Sequence, residues 1–326
     1  MRTGGLLIAV VMMLACSTAP QPAAFTEAKS PPARGYHFMT GLGPNPGVLL
    51  FSGENAPPPA GGHDLGDLWL WRSGTGWTQK KGLDQKWGYA GYDPKAGRVI
   101  VLVVEVGKYI PLLENWSYDP GANSWAQRTT DQRPDFVNGA VSAIDAESER
   151  VIVFSNDTWA YDPVGNSWQQ MHPKNSPLFG SWSALVYDDK RDRLILLGGE
   201  GRGQLSDVWF YDFNHDAWSE VDAGSGPSAR LYPAAAYEAR SGRVILFGGV
   251  AEATHSPLND TWSYDVGTNK WTELQAKTSP PSRGRHAMAF DGESGKIVMF
   301  GGGADPFHFQ KDTWVFDPGR NEWSRA

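Results

Sequence analysis

The stretch Arg285-His286-Ala287-Met288-Ala289-Phe290-Asp291 decides the fold, together with three segments C-terminal to it. After a glycine-containing turn come Lys296-Ile297-Val298-Met299-Phe300 and Gly301-Gly302, then a loop, then Asp312-Thr313-Trp314-Val315-Phe316-Asp317, a second turn and Glu322-Trp323-Ser324. The segments are short and cut off by glycine or turn residues, so the stretch reads as four strands. The unit recurs. A tryptophan marks the third strand of six copies, at Trp69, Trp116, Trp159, Trp209, Trp262 and Trp314, with spacings of 47, 43, 50, 53 and 52. A second marks the fourth strand at Trp77, Trp125, Trp168, Trp218, Trp271 and Trp323, nine residues on in five copies and eight in the first. A period of about 40 to 50 residues signals a repeat architecture.

A four-stranded unit with apolar residues on both faces buries itself only against neighbours, and closing the copies into a ring also removes exposed sheet edges. The pattern resembles the kelch family, whose blade motif is a diglycine closing the second strand, then Tyr-Asp and two spaced tryptophans; the resemblance covers roughly residues 34 to 326. It implies an all-β, six-bladed kelch-type β-propeller with four antiparallel strands per blade, the blades at about 34–80, 81–128, 133–171, 177–221, 227–275 and 280–326. The copies depart from the motif in places. All or half of the diglycine is kept at Ser52-Gly53, Gly198-Gly199, Gly248-Gly249 and Gly301-Gly302, but Val103-Val104 and Ser155-Asn156 replace it in the second and third blades, which are expected to turn differently there. Tyr-Asp is kept at Tyr118, Tyr161, Tyr211 and Tyr264, becomes Phe316-Asp317 in the last copy and is Trp71-Arg72 in the first. Glycine at that strand end supplies positive φ or admits a neighbouring backbone.

At the N-terminus, Met1-Arg2 is positive and Leu6 to Leu14 is an apolar run of nine, too short to span a bilayer. Met13-Leu14-Ala15-Cys16 resembles a bacterial lipoprotein signal, with Met13 where leucine is usual. Cys16 is the single cysteine of 326 residues, so no disulfide forms within the chain and lipidation is its expected role. Residues 1–15 are then a signal peptide, 16–33 a lipidated N-terminus and flexible tether, and 34–326 the propeller. Phe25-Thr26-Glu27 parallels Trp271-Thr272-Glu273 as a remnant fourth strand, but Trp323-Ser324-Arg325 is expected to supply the last one. The expected address is the bacterial cell envelope, extracytoplasmic, with the N-terminal lipid as the only hold on the membrane and the ring a monomer. Net charge is −7 with no Lys/Arg cluster, which argues against nucleic acid, whose binding needs a basic stripe.

Function in a ring of strands belongs to its loops. The third-to-fourth turns are uniform, as in Asp119-Pro120-Gly121-Ala122-Asn123 and Asp317-Pro318-Gly319-Arg320-Asn321, and serve turn chemistry. The opposite face varies. Its second-to-third loops are long at Glu54 to Gly66, Val250 to Asn259 and Gly303 to Lys311, and nearly vanish at Ser155-Asn156-Asp157, so a ligand is expected against the tall wall of the fifth, sixth and first blades. Just before each first strand stands a column: Tyr36, Trp87, Gly139, Trp182, Tyr232 and Arg285. Its aromatics suit stacking on sugar or anchoring a peptide, or else packing between blades. Arg34, Arg230 and Arg283, two residues earlier, either grip a carboxylate or bond loop carbonyls between blades. Arg285, unique in its column, is the better ligand candidate. His37 and His286 hold equivalent positions, and His63, His172, His255 and His308 fall on the same face. Their spacing matches no metal motif, so no metal is assigned.

No nucleophile elbow, phosphate loop or dinucleotide fingerprint is present, so no catalytic residue and no cofactor are assigned. The bacterial sialate mutarotase, a kelch protein, is similar in architecture only; such an enzyme needs an acid/base pair, for which Glu200 or Glu252 near Arg285 would serve. The expectation is a lipid-anchored protein that binds a glycan or protein segment through Tyr36, Trp87, Trp182, Tyr232, Arg285, His37, His286 and His308. A sugar mutarotase or epimerase, and a structural envelope component, are the alternatives.

Overall fold

The computed structural model describes residues 30–326 except 44, 56–64, 84–86, 106–111, 131–133, 135–138, 179–181 and 200–207. The signal segment, Cys16 and the Phe25 to Glu27 stretch lie outside the described residues, as do His63 and Glu200. Every regular element among the described residues is a strand. Six four-stranded antiparallel sheets follow one another in chain order. Blade one comprises Phe38–Gly41, Val48–Phe51, Leu68–Arg72 and Gly76–Lys80; blade two Trp87–Asp93, Arg98–Glu105, Leu112–Asp119 and Ser124–Arg128; blade three Val141–Asp145, Arg150–Phe154, Thr158–Asp162 and Ser167–Gln170. Blade four comprises Ala184–Asp188, Arg193–Leu197, Val208–Asp212 and Ala217–Val221; blade five Ala234–Glu238, Arg243–Phe247, Thr261–Asp265 and Lys270–Leu274; blade six Ala287–Asp291, Lys296–Phe300, Thr313–Asp317 and Glu322–Arg325. First strands touch first strands around the axis, and Ala287–Asp291 meets Phe38–Gly41, so the ring is closed. Each blade comes from one contiguous segment, and the C-terminal Glu322–Arg325 is the outer strand of blade six.

The core lies between blades. Second strands are buried after their first residue in blades three to six and along all of Val48–Phe51 in blade one, because both faces of a blade are covered by neighbours. Val48, Leu50 and Trp77 of blade one pack with Ala289, Val298 and Phe300 of blade six in one cluster. The fourth-strand indole lies against the Tyr-Asp ring of its own blade, at 4.9 Å for Tyr118 and Trp125 and 5.0 Å for Phe316 and Trp323. It also reaches one blade back. Trp77 Nε1 donates to Thr313 Oγ1 at 2.8 Å, Trp218 to Thr158 at 2.9 Å and Trp323 to Thr261 at 3.0 Å.

The turn residues do what their chemistry predicts. Asn123, Asn166, Asp216, Asn269 and Asn321 close the third-to-fourth turns with φ between 45° and 55°. Four of them accept the hydroxyl of the preceding tyrosine, as Asn123 does from Tyr118 at 2.7 Å and Asn166 from Tyr161 at 2.8 Å. The diglycines admit a neighbour's backbone. Gly302 N–H donates to Arg34 O and Gly249 N–H to Arg283 O, both at 2.9 Å. A Cβ on Gly301 would stand 2.6 Å from Arg34 O, closer than real side chains come. Without the pair, blade two's second and third strands run on to eight residues each, and blade three crosses in the short Ser155–Asp157 link. One boundary differs from expectation: the first strand of blade six begins at Ala287, because Arg285 has left-handed backbone.

Candidate functional site

Five of the six blades enter their first strand in the same way. Tyr36, Gly139, Trp182, Tyr232 and Arg285 have φ of 55°, 87°, 57°, 55° and 62°, a region that side chains of this bulk rarely adopt. Hydrogen bonding explains the conformation. Tyr36 N–H donates to Arg285 O at 3.0 Å, Arg285 N–H to Tyr232 O at 3.3 Å, Tyr232 N–H to Trp182 O at 3.0 Å, and Trp182 N–H to Gly139 O at 3.0 Å. A belt of main-chain bonds thus runs from blade three through blade six to blade one, each residue donating to its equivalent one blade back. Trp87 is the exception and a correction to the expected column: it begins a strand, opposite Val104.

The belt residues border one central cavity of about 400 Å³. Tyr36, Trp182, Tyr232 and Arg285 are half-buried. Tyr36 meets Tyr232 edge-on with centroids 5.7 Å apart, and Trp182 tilts against Tyr232 at 5.3 Å. Arg285 completes the cluster: its Nε donates to Tyr36 Oη at 2.6 Å, and its guanidinium carbon lies 4.2 Å from the Tyr232 ring centroid. Burial, then Tyr36, push the Tyr232 hydroxyl up to about 12, so it stays neutral. Glu54 and Ser183 are polar residues of the lining, while Met39, Leu185 and Met288 give it apolar wall. Small residues at the strand starts, Ala184, Ala234 and Ala287, leave the space open.

The arginine column does grip carboxylates by paired donors, but they are the chain's own. Arg34 bonds Asp67 at 2.6 and 2.7 Å, Arg230 bonds Asp260 at 2.7 and 2.8 Å, and Arg283 bonds Asp312 at 2.7 and 2.9 Å. Each also donates to a carbonyl at the end of its own blade's second strand, Ser52, Gly248 or Gly301, so these bonds lie within blades rather than between them. The sign of this in the sequence is the Asp-x-Trp that recurs at Asp67, Asp260 and Asp312, whose carboxylates also accept the indole two residues on.

The histidines divide. His37 and His286 sit beside the cavity but are 5% and 6% exposed, with rings edge-on to Phe300 and Phe247 of the preceding blade. They are inter-blade packing residues, and burial followed by the charge of Arg34 or Arg283 holds both pKa values low. His308 is not brought to the cavity; it stands exposed at the rim, 3.0 Å from Asp305. His172 is exposed too, its amide bonded to Asp216 in a blade-four turn. No three His, Cys, Asp or Glu side chains gather as a metal site among the described residues. Glu252 is exposed and does not border the cavity. Phe309, from the blade-six loop, meets Tyr36 edge-on at 6.1 Å, and its ring lies where a Cβ on Gly35 would be. Nothing in the sequence marked it beyond its place in a long rim loop.

A family model described as the KLHDC2/KLHL20/DRC7 Kelch-repeats domain matches residues 147–326, more than half of the chain. No curated protein matches it. With the ring of six blades, the paired tryptophans and this match, the chain belongs to the kelch-repeat β-propeller family.

Proposed function

We propose that the chain is an extracytoplasmic, lipid-anchored binding protein whose central cavity holds a ligand, a glycan or a segment of another protein. The observation that carries the reading is the convergence of Tyr36, Trp182, Tyr232 and Arg285, from four blades, on one cavity of about 400 Å³. That volume falls in the range of about 300–1,000 Å³ typical of ligand pockets. Their left-handed backbone costs about 1–3 kcal/mol per residue, and strain of this kind is kept where side chains must be aimed. Support for the anchor comes from Cys16, which follows Ala15 at the end of the apolar run Leu6 to Leu14.

A glycan array probed with the full chain and with Trp182→Ala tests the reading. Selective binding that the substitution abolishes supports a ligand on the aromatic mouth. Binding that survives it unchanged moves the site elsewhere on the ring, and a blank array removes the glycan. Cys16→Ser should shift the protein from the membrane to the soluble fraction; continued retention on the membrane would overturn the anchor.

A further inference from the structure

Among the described residues, Arg34, Arg230, Arg283 and Arg285 stand near the mouth, and the first three are neutralised internally. Arg34, Arg230 and Arg283 are buried and each holds an aspartate of its own blade through paired donors. Arg285 lies two residues beyond Arg283 but faces a different setting: its described polar partners are the hydroxyls of Tyr36 and Tyr232, and no carboxylate among the described residues pairs with it. With the Tyr232 hydroxyl neutral and the guanidinium over its ring, the charge is held in place, and no salt bridge among the described residues offsets it. A half-buried cation between aromatic faces, with planar N–H donors in reserve, is an anion receptor by its chemistry.

We infer that Arg285 makes the cavity selective for a carboxylate carried on a saccharide ring, such as a hexuronic acid, with Tyr36, Trp182 and Tyr232 holding the ring's apolar face. This rests on the ligand site proposed above. Two observations favour a sugar over a peptide. The N–H groups of Tyr36, Trp182, Tyr232 and Arg285 are already donated to the belt, so these four residues offer a peptide backbone no row of main-chain donors to pair with. The cavity is also compact and lined by the aromatic side chains of Tyr36, Trp182 and Tyr232, which suits the apolar face of a sugar ring.

The test is calorimetric titration of the full chain with methyl glucuronide, methyl glucoside, and an N-acetylated tripeptide with a free or an amidated C-terminus. Arg285→Gln and Arg285→Lys are measured beside the wild type, with thermal melting to show that each variant is folded. A charge-assisted, bidentate contact predicts that wild type binds the glucuronide at least about tenfold more tightly than the glucoside, and that Arg285→Gln erases that preference while Arg285→Lys keeps part of it. Equal binding of the two glycosides, or a preference that survives Arg285→Gln, overturns the inference while leaving the ligand site standing. Binding of the free-acid peptide with neither glycoside bound overturns the saccharide and leaves a protein segment as the ligand. If no probe binds the wild type, this inference falls.

Discussion

Tyr36, Trp182, Tyr232 and Arg285 carry a strained backbone so that their amides can bond one another around the axis, and the same conformation sets their side chains at the cavity. The neighbouring position has the opposite fate. His286, one residue after Arg285, is 6% exposed against Phe247, and burial, then the charge of Arg283, push its pKa down to about 3. In the unfolded chain an imidazole takes up its proton near pH 6.5. Between those values the unfolded state binds a proton that the folded state refuses. The contribution to stability is therefore full above about pH 6.5 and is lost as pH falls toward 3, at about 1.4 kcal/mol per pH unit. His286→Phe keeps a ring in the site and removes this dependence. In urea denaturation at pH 7 and pH 5, the wild type should lose about 2 kcal/mol more than the variant. Equal losses would show that His286 is not the group responsible.

At the scale of the strand, a threonine that opens the third strand gives the next blade's indole a side-chain partner, while Trp125, which follows Leu68, donates to Lys81 O instead. With Thr158, Thr261 or Thr313 in that place, the bond forms. In blade four the opening residue is Val208, fully buried, and Trp271 Nε1 of blade five is buried with no partner among the described residues. Val208→Thr is close to isosteric and would place a hydroxyl where three other blades have one, so it should stabilise the protein by about 1 kcal/mol. An unchanged or lower urea midpoint would mean that the strand cannot bring the hydroxyl to the indole. The spacing of the tryptophans was enough to place four strands per copy, because every strand is cut off by turn residues that act locally. Their hydrogen-bond partners were not legible, since each lies in the preceding copy, 60 residues away for Trp218 and 62 for Trp323. Trp87 shows the same limit from the other side. Alignment puts it in the column, but Val103-Val104 lets blade two's strands pair as far as Trp87 and Val104, and the left-handed entry is lost. The paired arginines and aspartates lie in one copy and recur as Asp-x-Trp, so that part of the mouth could have been read.

For the whole ring, the question is whether the seam between blades six and one is weaker than a junction the chain runs through. No strand crosses it, because each blade is built from one contiguous segment. Several of its bonds nevertheless have counterparts between blades five and six. Trp77 to Thr313 corresponds to Trp323 to Thr261, at 2.8 and 3.0 Å. Tyr36 N–H to Arg285 O corresponds to Arg285 N–H to Tyr232 O, and Gly302 to Arg34 O corresponds to Gly249 to Arg283 O. His37 on Phe300 corresponds to His286 on Phe247. With these matched bonds and an apolar cluster shared by both blades, the seam should open only when the ring unfolds. Thr313→Val and Thr261→Val each strand one buried indole N–H, which costs about 1–3 kcal/mol, and the two variants should lose the same amount within a single transition seen alike by tryptophan fluorescence and far-UV circular dichroism. If Thr313→Val alone splits the transition, the terminal blades part before the rest, and the ring is held shut by the continuity of the chain more than by its packing.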